Sequence, residues 1–308
     1  MTVELLVAGV VSLDTTLHIP FIPRENSECF ARAISDMHGG AAANVAAYAA
    51  YYGSLSVGLI ARVGEDTIAD QLLSRLAQYR VDLQGTICTS KTPSTRIITL
   101  LLPDGSKTYM VHLGAHDQLS SKDIPPNHLS TASAFYVAPC SPNIHADILA
   151  FAHSHGKTVY FNPGSVYVEQ SETQRLYSLL PLCDILFLNE PEALSYSHQT
   201  TIEQAGRFLL DLGPKHLIIT ASRRGSMVFS SGEPSPRVFP SIPSSYTNSI
   251  GAGDAFAAGF LIEHLNTGNI YAAIKKGAVY GAFAVTQNEL RKPDPDPGDI
   301  DEFENQLR

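Results

Sequence analysis

Several features that mark particular protein classes are missing from these 308 residues. The four cysteines lie far apart and form no Cys-x-x-Cys pair, which argues against a disulfide framework and against a zinc site. No apolar run is long enough to span a bilayer. Lysine and arginine number 21 against 30 acidic residues, and the formal net charge of −9 argues against nucleic acid or an anionic membrane as a partner. We therefore expect a cytoplasmic protein with reduced thiols.

The chain does have a regular alternation of strand-length apolar runs and helical patterns. Hydrophobic residues make up 44% of the chain, which is enough for a substantial core. The apolar runs are LLVAGVV (5–11), SAFYVAP (133–139), KTVYFNP (157–163), DILFLN (184–189) and KHLIITA (215–221). Each is followed by a helical or turn segment, and this βαβ order predicts a parallel sheet covered by helices on both faces.

Two stretches, 15–37 and 86–113, break this alternation with more polar residues and a period of two. Within the second, residues 94–113 predict a hairpin that turns at Pro103, Asp104 and Gly105. Extra antiparallel strands beside a parallel sheet would form either a flap or dimer surface, or an ordinary extension of the sheet. The pattern by itself favours neither.

The stretch NSIGAGDAFAAGF (248–260) joins a glycine turn to an apolar helix and places one carboxylate, Asp254, at the junction. The simpler interpretation is helix capping, since aspartate is a favoured N-cap residue. The chemical interpretation is phosphoryl transfer. Successive amides of Gly251, Ala252 and Gly253 at a helix N-terminus would hold an anion, and an adjacent acid would accept the proton of an attacking hydroxyl.

Other polar residues follow predicted strands or open predicted helices. Gly39 and Gly40 precede a helix and are either a helix start or a hinge, with Asn44 in position to reach a substrate hydroxyl. Asp14 follows the first strand and is either a turn residue or an acceptor of hydrogen bonds from a polyol.

Two further strands end in polar residues. Asn189 and Glu192 follow one of them and either cap a helix or suit a hydrated Mg²⁺ near phosphates. Thr220 ends the next strand and is either a nucleotide contact or merely the strand's last residue.

Taken together and in order, three motifs resemble the ribokinase-like (PfkB) family of carbohydrate and nucleoside kinases: GGAAANVA (39–46), NEPE (189–192) and SIGAGDAFAAGF (249–260). The resemblance spans nearly the whole chain. It implies a single domain over 1–308 with a three-layer α/β/α fold, a mainly parallel central sheet and a small β-sheet lid formed by about 15–37 and 86–113. It also implies ATP as co-substrate, Mg²⁺ as cofactor and a homodimer formed through the lid.

The resemblance also implies a role for each motif residue. Asp254 would be the catalytic base and Gly251, Ala252 and Gly253 the anion hole. Asp14, Gly39, Gly40 and Asn44 would hold the acceptor. Asn189 and Glu192 would organise Mg²⁺ through water, with Asn189, Thr220, Gly225, Gly251 and Gly253 lying along the nucleotide.

The chain departs from the family pattern at three positions near the expected nucleotide. Asn248 stands where an aspartate tied to monovalent-cation binding is usual, so potassium dependence is left open. Ser222 replaces a usual glycine in the nucleotide turn, and Ala278 replaces a frequent asparagine. These changes also allow an alternative function, a family member that binds its ligand without turnover.

The acceptor is the least determined feature. Ala41 replaces the lysine that phosphosugar kinases of this family carry. A buried phosphate would need fixed cations, and the lid offers only Arg96 nearby, with Arg24 as a second candidate, which favours a neutral acceptor. A nucleobase would need an apolar slot, which Phe21, Phe30, Tyr109 and Met110 of the lid would supply if they did not form the lid core or a dimer contact. The sequence therefore predicts transfer of the γ-phosphate of ATP to a hydroxyl, expected to be a primary one, of a neutral sugar or a nucleoside such as adenosine, without choosing between them.

Overall fold

Residues 3–53, 55–169, 172–243, 251–290 and 296–307 are described by the structure, a computed structural model. Its strands are β1 (Leu5–Ala8), β2 (Ser12–His18), β3 (Ala33–Gly39), β4 (Val57–Gly64), β5 (Thr86–Thr89), β6 (Thr95–Leu101), β7 (Lys107–His112), β8 (Ala134–Val137), β9 (Thr158–Phe161), β10 (Ile185–Asn189), β11 (His216–Thr220), β12 (Ser226–Ser230) and β13 (Arg237–Phe239). Its α-helices are α1 (Ala41–Tyr51), α2 (Thr67–Gln78), α3 (Pro126–Thr131), α4 (Pro142–Ser154), α5 (Val166–Glu169), α6 (Thr173–Leu179), α7 (Glu190–Ser197), α8 (Ile202–Leu210), α9 (Ala252–Thr267), α10 (Ile270–Leu290) and α11 (Pro297–Gln306).

A nine-stranded sheet in the order β13-β12-β11-β10-β9-β8-β1-β4-β5 forms the centre of the fold. The strands from β11 to β5 are parallel, and β12 and β13 continue the sheet antiparallel. Alternate residues of β1 face opposite sides, with Leu5 and Val7 in one buried cluster and Leu6 and Ala8 in the other. Helices α1, α2, α9 and α10 cover the first side and α4 to α8 the second. This confirms the predicted three-layer ribokinase-like α/β fold.

The lid is a separate four-stranded sheet in the order β3-β2-β6-β7. The predicted hairpin is present, since Leu101 pairs with Lys107 and Gly105 turns with φ of 83°. The predicted lid boundaries were partly wrong. Strand β5 (Thr86–Thr89) does not belong to the lid. It pairs with β4 and forms the edge of the large sheet, where it gives hydrogen-bond partners to an edge of β4 that would otherwise be open. The lid also begins at Ser12 rather than at 15.

One carboxylate joins helix α2 to the point where the chain enters the lid. Asp66 Oδ1 caps α2 by accepting from Ala69 N at 2.9 Å. The same carboxylate accepts from the backbone N–H and the hydroxyl of Ser94, each at 2.8 Å. Burial raises the pKa of Asp66, but the hydrogen bonds from Ser94 and Ala69 lower it more, so the pKa lies below its usual value. The lid is therefore attached here through a charged, hydrogen-bonded contact rather than a flexible linker.

The four cysteines are free thiols, and two of them, Cys140 and Cys183, are buried. Within the described ranges, no helix has the length and apolar character needed to cross a membrane.

Candidate active site

Helix α9 begins at an open, glycine-lined N-terminus. Gly251 is its N-cap residue and adopts a left-handed conformation with φ of 74°, which a glycine reaches without strain. Among the described residues no side chain caps the first turn. A Cβ placed on Gly251 or on Gly253 would meet none of the described atoms within 4 Å. The backbone N–H groups at the positive end of this 16-residue helix thus have room around them within the described part of the chain, an arrangement that suits an anion.

Asp254 lies in the first turn of this helix and is held by the opposite helix. Asn44 of α1 donates from Nδ2 to Asp254 Oδ2 at 2.8 Å, across 210 residues of sequence. The pKa of Asp254 is raised to about 6, chiefly by burial; the hydrogen bond from Asn44 opposes the rise and the nearby charge of Asp14 adds to it. The carboxylate is thus ionised near neutral pH and has more affinity for a proton than a solvated aspartate.

Asp14 stands on the lid strand β2 at the border between lid and body. Ser12 donates its hydroxyl to Asp14 Oδ1 at 2.6 Å. Burial raises the pKa of Asp14, partly offset by that hydrogen bond. Gly39, which pairs opposite Ser12, makes room for the carboxylate, since an added Cβ would stand 2.2 Å from Asp14 Oδ2.

Gly40 lies between the end of strand β3 and the start of helix α1, next to Gly39. It is the N-cap residue of α1, with φ of 96°, and a Cβ there would stand 2.3 Å from the carbonyl oxygen of Val10. Only glycine fits this close approach between the end of the lid strand β3 and the loop after β1. The structure therefore brings together Asp14, Gly39, Gly40, Asn44 and Asp254, the residues that the resemblance assigns to the acceptor and the base; their roles stay a prediction.

The second group of predicted residues lies at the ends of β10 and β11. Asn189 Oδ1 accepts from Glu192 N, and Glu192 Oε2 accepts from Asn189 N, both at 2.9 Å, which is a reciprocal cap on helix α7. Burial raises the pKa of Glu192 despite the two hydrogen bonds from Asn189. Thr220 pairs directly with Asn189 in the sheet. The capping interpretation of Asn-x-x-Glu is therefore correct, and one carboxylate oxygen of Glu192 stays outside the cap.

The turn after Thr220 is tight and strained. Gly225 has φ of 89°, and a Cβ there would stand 2.0 Å from the carbonyl oxygen of Phe239. Ser222 also has positive φ, 51°, at the position where the family usually has glycine. The serine therefore keeps the glycine-like backbone of this turn at a conformational cost of roughly 1 kcal/mol. Ala278 is partly buried in α10, and Asn248 lies outside the described residues.

Two residues that sequence reasoning missed connect the groups. Tyr136 of β8 is fully buried, and after burial itself the charges of Asp254 and Glu192 both raise its pKa. Asn162, directly after β9, donates from Nδ2 to the Tyr136 hydroxyl at 3.3 Å. Both stand at the carboxyl ends of parallel strands, where ligands bind in folds of this kind, and that position was the available signal.

Arg96 is not brought to the other predicted substrate residues. It pairs with Leu13 and His112, whereas Asp14 pairs with Ile97, so Arg96 and Asp14 point to opposite faces of the lid. On its own face Arg96 lies near Asp66 and helps to lower the pKa of that carboxyl. A role for Arg96 in acceptor binding stays an untested prediction, and this placement gives it no support.

The four residues suggested for a nucleobase slot do not lie together on one face of the lid. Phe21 and Phe30 lie in the connection between β2 and β3, not in strands, and are 52% and 81% exposed. Met110 lies on the lid face of Arg96, and only Tyr109 lies on the face of Asp14. A one-residue step along a strand moves a side chain to the other face, which the sequence pattern did not resolve.

Comparison with known proteins agrees with this geometry. A model of the pfkB family carbohydrate kinases matches residues 8–297. A nucleoside kinase from Methanothermobacter thermautotrophicus is 25% identical over 296 residues, covering 96% of this chain and 94% of the relative. A cytidine kinase from Thermococcus kodakarensis is 32% identical over 264 residues, covering 84% of this chain and 87% of the relative.

Solved structures show the same fold. A ribokinase from Thermotoga maritima superposes with a TM-score of 0.85 at 21% identity, over 98% of this chain and 99% of that one. A nucleoside kinase from Methanocaldococcus jannaschii gives 0.83 at 20% identity, over 99% of both chains.

Proposed function

Because the chain belongs to the pfkB family of carbohydrate kinases and is an ATP-dependent sugar or nucleoside kinase, we propose that Asp254 is its catalytic base. One observation supports this role above the others. The carboxylate is held by Asn44 beside the open N-terminus of α9, and burial raises its pKa to about 6. A base of this strength is ionised at neutral pH and still accepts a proton readily.

In the proposed reaction a hydroxyl of the neutral acceptor, expected to be a primary one, loses its proton to Asp254. Its oxygen bonds to the γ-phosphorus of ATP as the bond from that phosphorus to the β,γ-bridging oxygen breaks, and ADP leaves with the electron pair. The amides of Gly251, Ala252 and Gly253 stabilise the charge on the transferring phosphoryl oxygens. Asp14 orients the acceptor from the lid, and Asn44 orients it from helix α1.

The described residues fit a magnesium ion that keeps most of its water. They contain no cluster of three metal-ligating side chains. In the helix cap, Glu192 Oε2 and Asn189 Oδ1 each accept a backbone hydrogen bond. The second carboxylate oxygen of Glu192 would hold an ion-bound water. When bound, Mg²⁺ would neutralise charge on the phosphates of ATP. Thr220 and Gly225 line the adjoining nucleotide edge.

The assembly and location are also proposals. Exposed apolar side chains in and beside the lid strands, including Phe30 and Ile34 at 81% and 67% exposure, support a homodimer formed through the lid. Free thiols support a reducing compartment, the cytoplasm.

The first experiment measures ATP-dependent ADP release over a panel of neutral sugars, phosphosugars and nucleosides. We expect Asp254→Asn to lower kcat by about 10²-fold or more, since general base catalysis contributes that much. Glu263→Gln removes a carboxylate from the same helix and should keep wild-type activity. An Asp254→Asn protein that is as active as wild type would rule out the proposed base. Folded protein that binds ATP and a panel member without releasing ADP would favour a ligand-binding role without turnover.

A further inference from the structure

One face of the lid carries a row of apolar side chains beside Asp14. Asp14 of β2 pairs with Met37 of β3 and with Ile97 of β6, and Ile97 pairs with Val111 of β7. Directly paired residues on neighbouring strands point to the same side of a sheet. Met37, Ile97 and Val111 therefore form, with Asp14, a single row across the lid, here called the Asp14 row.

The apolar members of this row are accessible. Met37 is 48% and Val111 57% exposed, and Ile97 is partly buried between its neighbouring strands. Tyr109, two residues before Val111 on the same face, is 60% exposed. Scattered apolar residues on a surface need no explanation, but a contiguous set beside a binding carboxylate does.

The Asp14 row faces the reaction centre and not the body of the protein. Gly39 packs against Asp14 Oδ2 and leads through Gly40 into helix α1, whose Asn44 donates to Asp254 at 2.8 Å, so both carboxylates lie at the start of α1. The other face of the lid is turned to helix α2, where His38 is close to Gln71 and Arg75, and Arg96 is close to Asp66. A molecule held by Asp14 and Asp254 thus has the Asp14 row along one side.

We propose that the acceptor is a nucleoside, with its ribose held at Asp14 and its base lying against Met37, Ile97 and Val111. This proposal rests on the proposed kinase function. A free sugar presents hydroxyls in every direction and would leave these apolar side chains in water. A nucleobase has flat apolar faces that cover them, and the methionine sulfur makes a favourable contact with an aromatic ring.

The test compares cytidine, adenosine and D-ribose as acceptors for wild type and for the double variant Met37→Ser/Val111→Ser. Both positions are exposed, so the fold should be kept. We expect kcat/KM for the nucleosides to fall about 10-fold or more, the usual effect of lost apolar contact in a substrate pocket, with that for D-ribose changed less than about twofold. Met110→Ser is the matched control, since Met110 is the adjacent residue, is 49% exposed and lies on the opposite face.

Calorimetric titration of cytidine without ATP gives a readout independent of turnover. Nucleoside binding that weakens in the double variant supports the inference, even if wild type shows no ADP release and the kinase proposal fails. Wild type that phosphorylates D-ribose but neither nucleoside overturns the inference and leaves the kinase proposal intact. An equal loss in Met110→Ser, or unchanged nucleoside affinity in the double variant, also overturns it.

Discussion

At the residue scale, the proposed base is Asp254, a carboxylate whose surroundings raise its pKa. Asp254 is partly buried, lies near a second acid and accepts a side-chain hydrogen bond from Asn44. Burial and like charge disfavour its ionised form, whereas the hydrogen bond favours it. The balance sets the pH at which the base becomes competent.

The activity should therefore depend on pH with a midpoint set by Asp254. We expect kcat/KM to rise as pH increases through about 6, the pKa of Asp254, and to level off above it, because only the ionised carboxylate accepts a proton. Asn44→Ala removes the hydrogen bond that lowers this pKa, so its midpoint should move to higher pH. The pH profiles of both proteins with saturating ATP provide the measurement. A midpoint in Asn44→Ala that moves down would contradict this account.

Gly39 should matter through the space that it leaves for Asp14. In Gly39→Ala the new Cβ would stand 2.2 Å from Asp14 Oδ2, and the flexible carboxylate would rotate away rather than unfold the strand. We expect KM for the acceptor to rise about 10-fold with KM for ATP unchanged. Steady-state kinetics with each substrate varied provides the check. Gly105→Ala is a control for strain in the lid alone: its φ of 83° disfavours alanine, but a Cβ there would meet none of the described atoms, so acceptor KM should not change. Unchanged acceptor KM in Gly39→Ala would contradict the role of Gly39.

At the element scale, the lid and the body are joined by short connections whose geometry is closely constrained. Gly39 ends the lid strand β3 and Gly40 begins helix α1 with no residue between them. Ser94 enters β6 while bonded to the cap of α2. The lid strands therefore take their position from the same helices that position Asn44 and the cleft, which couples acceptor binding to the packing of α1 and α2.

Removal of the Asp66 carboxylate should loosen this attachment. Asp66→Ala loses the cap of α2 and both bonds to Ser94, and we expect the free energy of unfolding to fall by about 2 kcal/mol, together with a higher acceptor KM. Asp66→Asn keeps one acceptor oxygen and should lose less. Urea denaturation monitored by circular dichroism measures the effect. Equal free energies of unfolding for Asp66→Ala and wild type would show that this contact does not stabilise the fold.

At the scale of the whole molecule, the lid is a four-stranded sheet with apolar side chains exposed on both faces. On one face, the exposed apolar side chains of the Asp14 row are those that we propose contact the acceptor. Phe30 in the connection before β3 and Ile34 on the opposite face are left in water unless a second molecule covers them. A second copy of the chain packed against the lid would cover them, as in the proposed homodimer.

We predict that the protein is a homodimer and that Phe30→Asp/Ile34→Asp is a monomer, because a charge at each position opposes burial against a second copy. Sedimentation velocity at micromolar concentration measures the state. Val238→Asp changes an apolar residue that is 61% exposed, against 81% for Phe30 and 67% for Ile34, on the edge strand of the large sheet, and should stay dimeric. A monomeric wild type would refute the prediction.

Much of this molecule follows from local patterns in the sequence. The buried parallel strands were recognisable because a strand covered on both faces must be apolar throughout, and β8 to β11 lie within the predicted runs. The glycine turn before Asp254 was recognisable because a left-handed residue and closely approached amides require glycine. The order of the motifs was sufficient to indicate the family.

Other features depend on contacts between distant residues, which local patterns do not contain. Strand β5 was assigned to the lid because an edge strand and a lid strand have the same alternating pattern, and only its pairing with β4 decides between them. Arg96 and Met110 lie on the lid face opposite Asp14, because the register of β6 with β2 and of β7 with β6, not composition, selects the face of each side chain.

The sequence by itself thus determined the order of elements, the family and the identity of the candidate base, since propensity, periodicity and glycine geometry act over a few residues. The tertiary structure alone decided the properties of the site. The pKa of Asp254 arises from burial and from two residues, Asn44 and Asp14, that approach it from more than 200 positions away. Electrostatic energies depend on distance in space and on exclusion of water, and both exist only once the chain is folded.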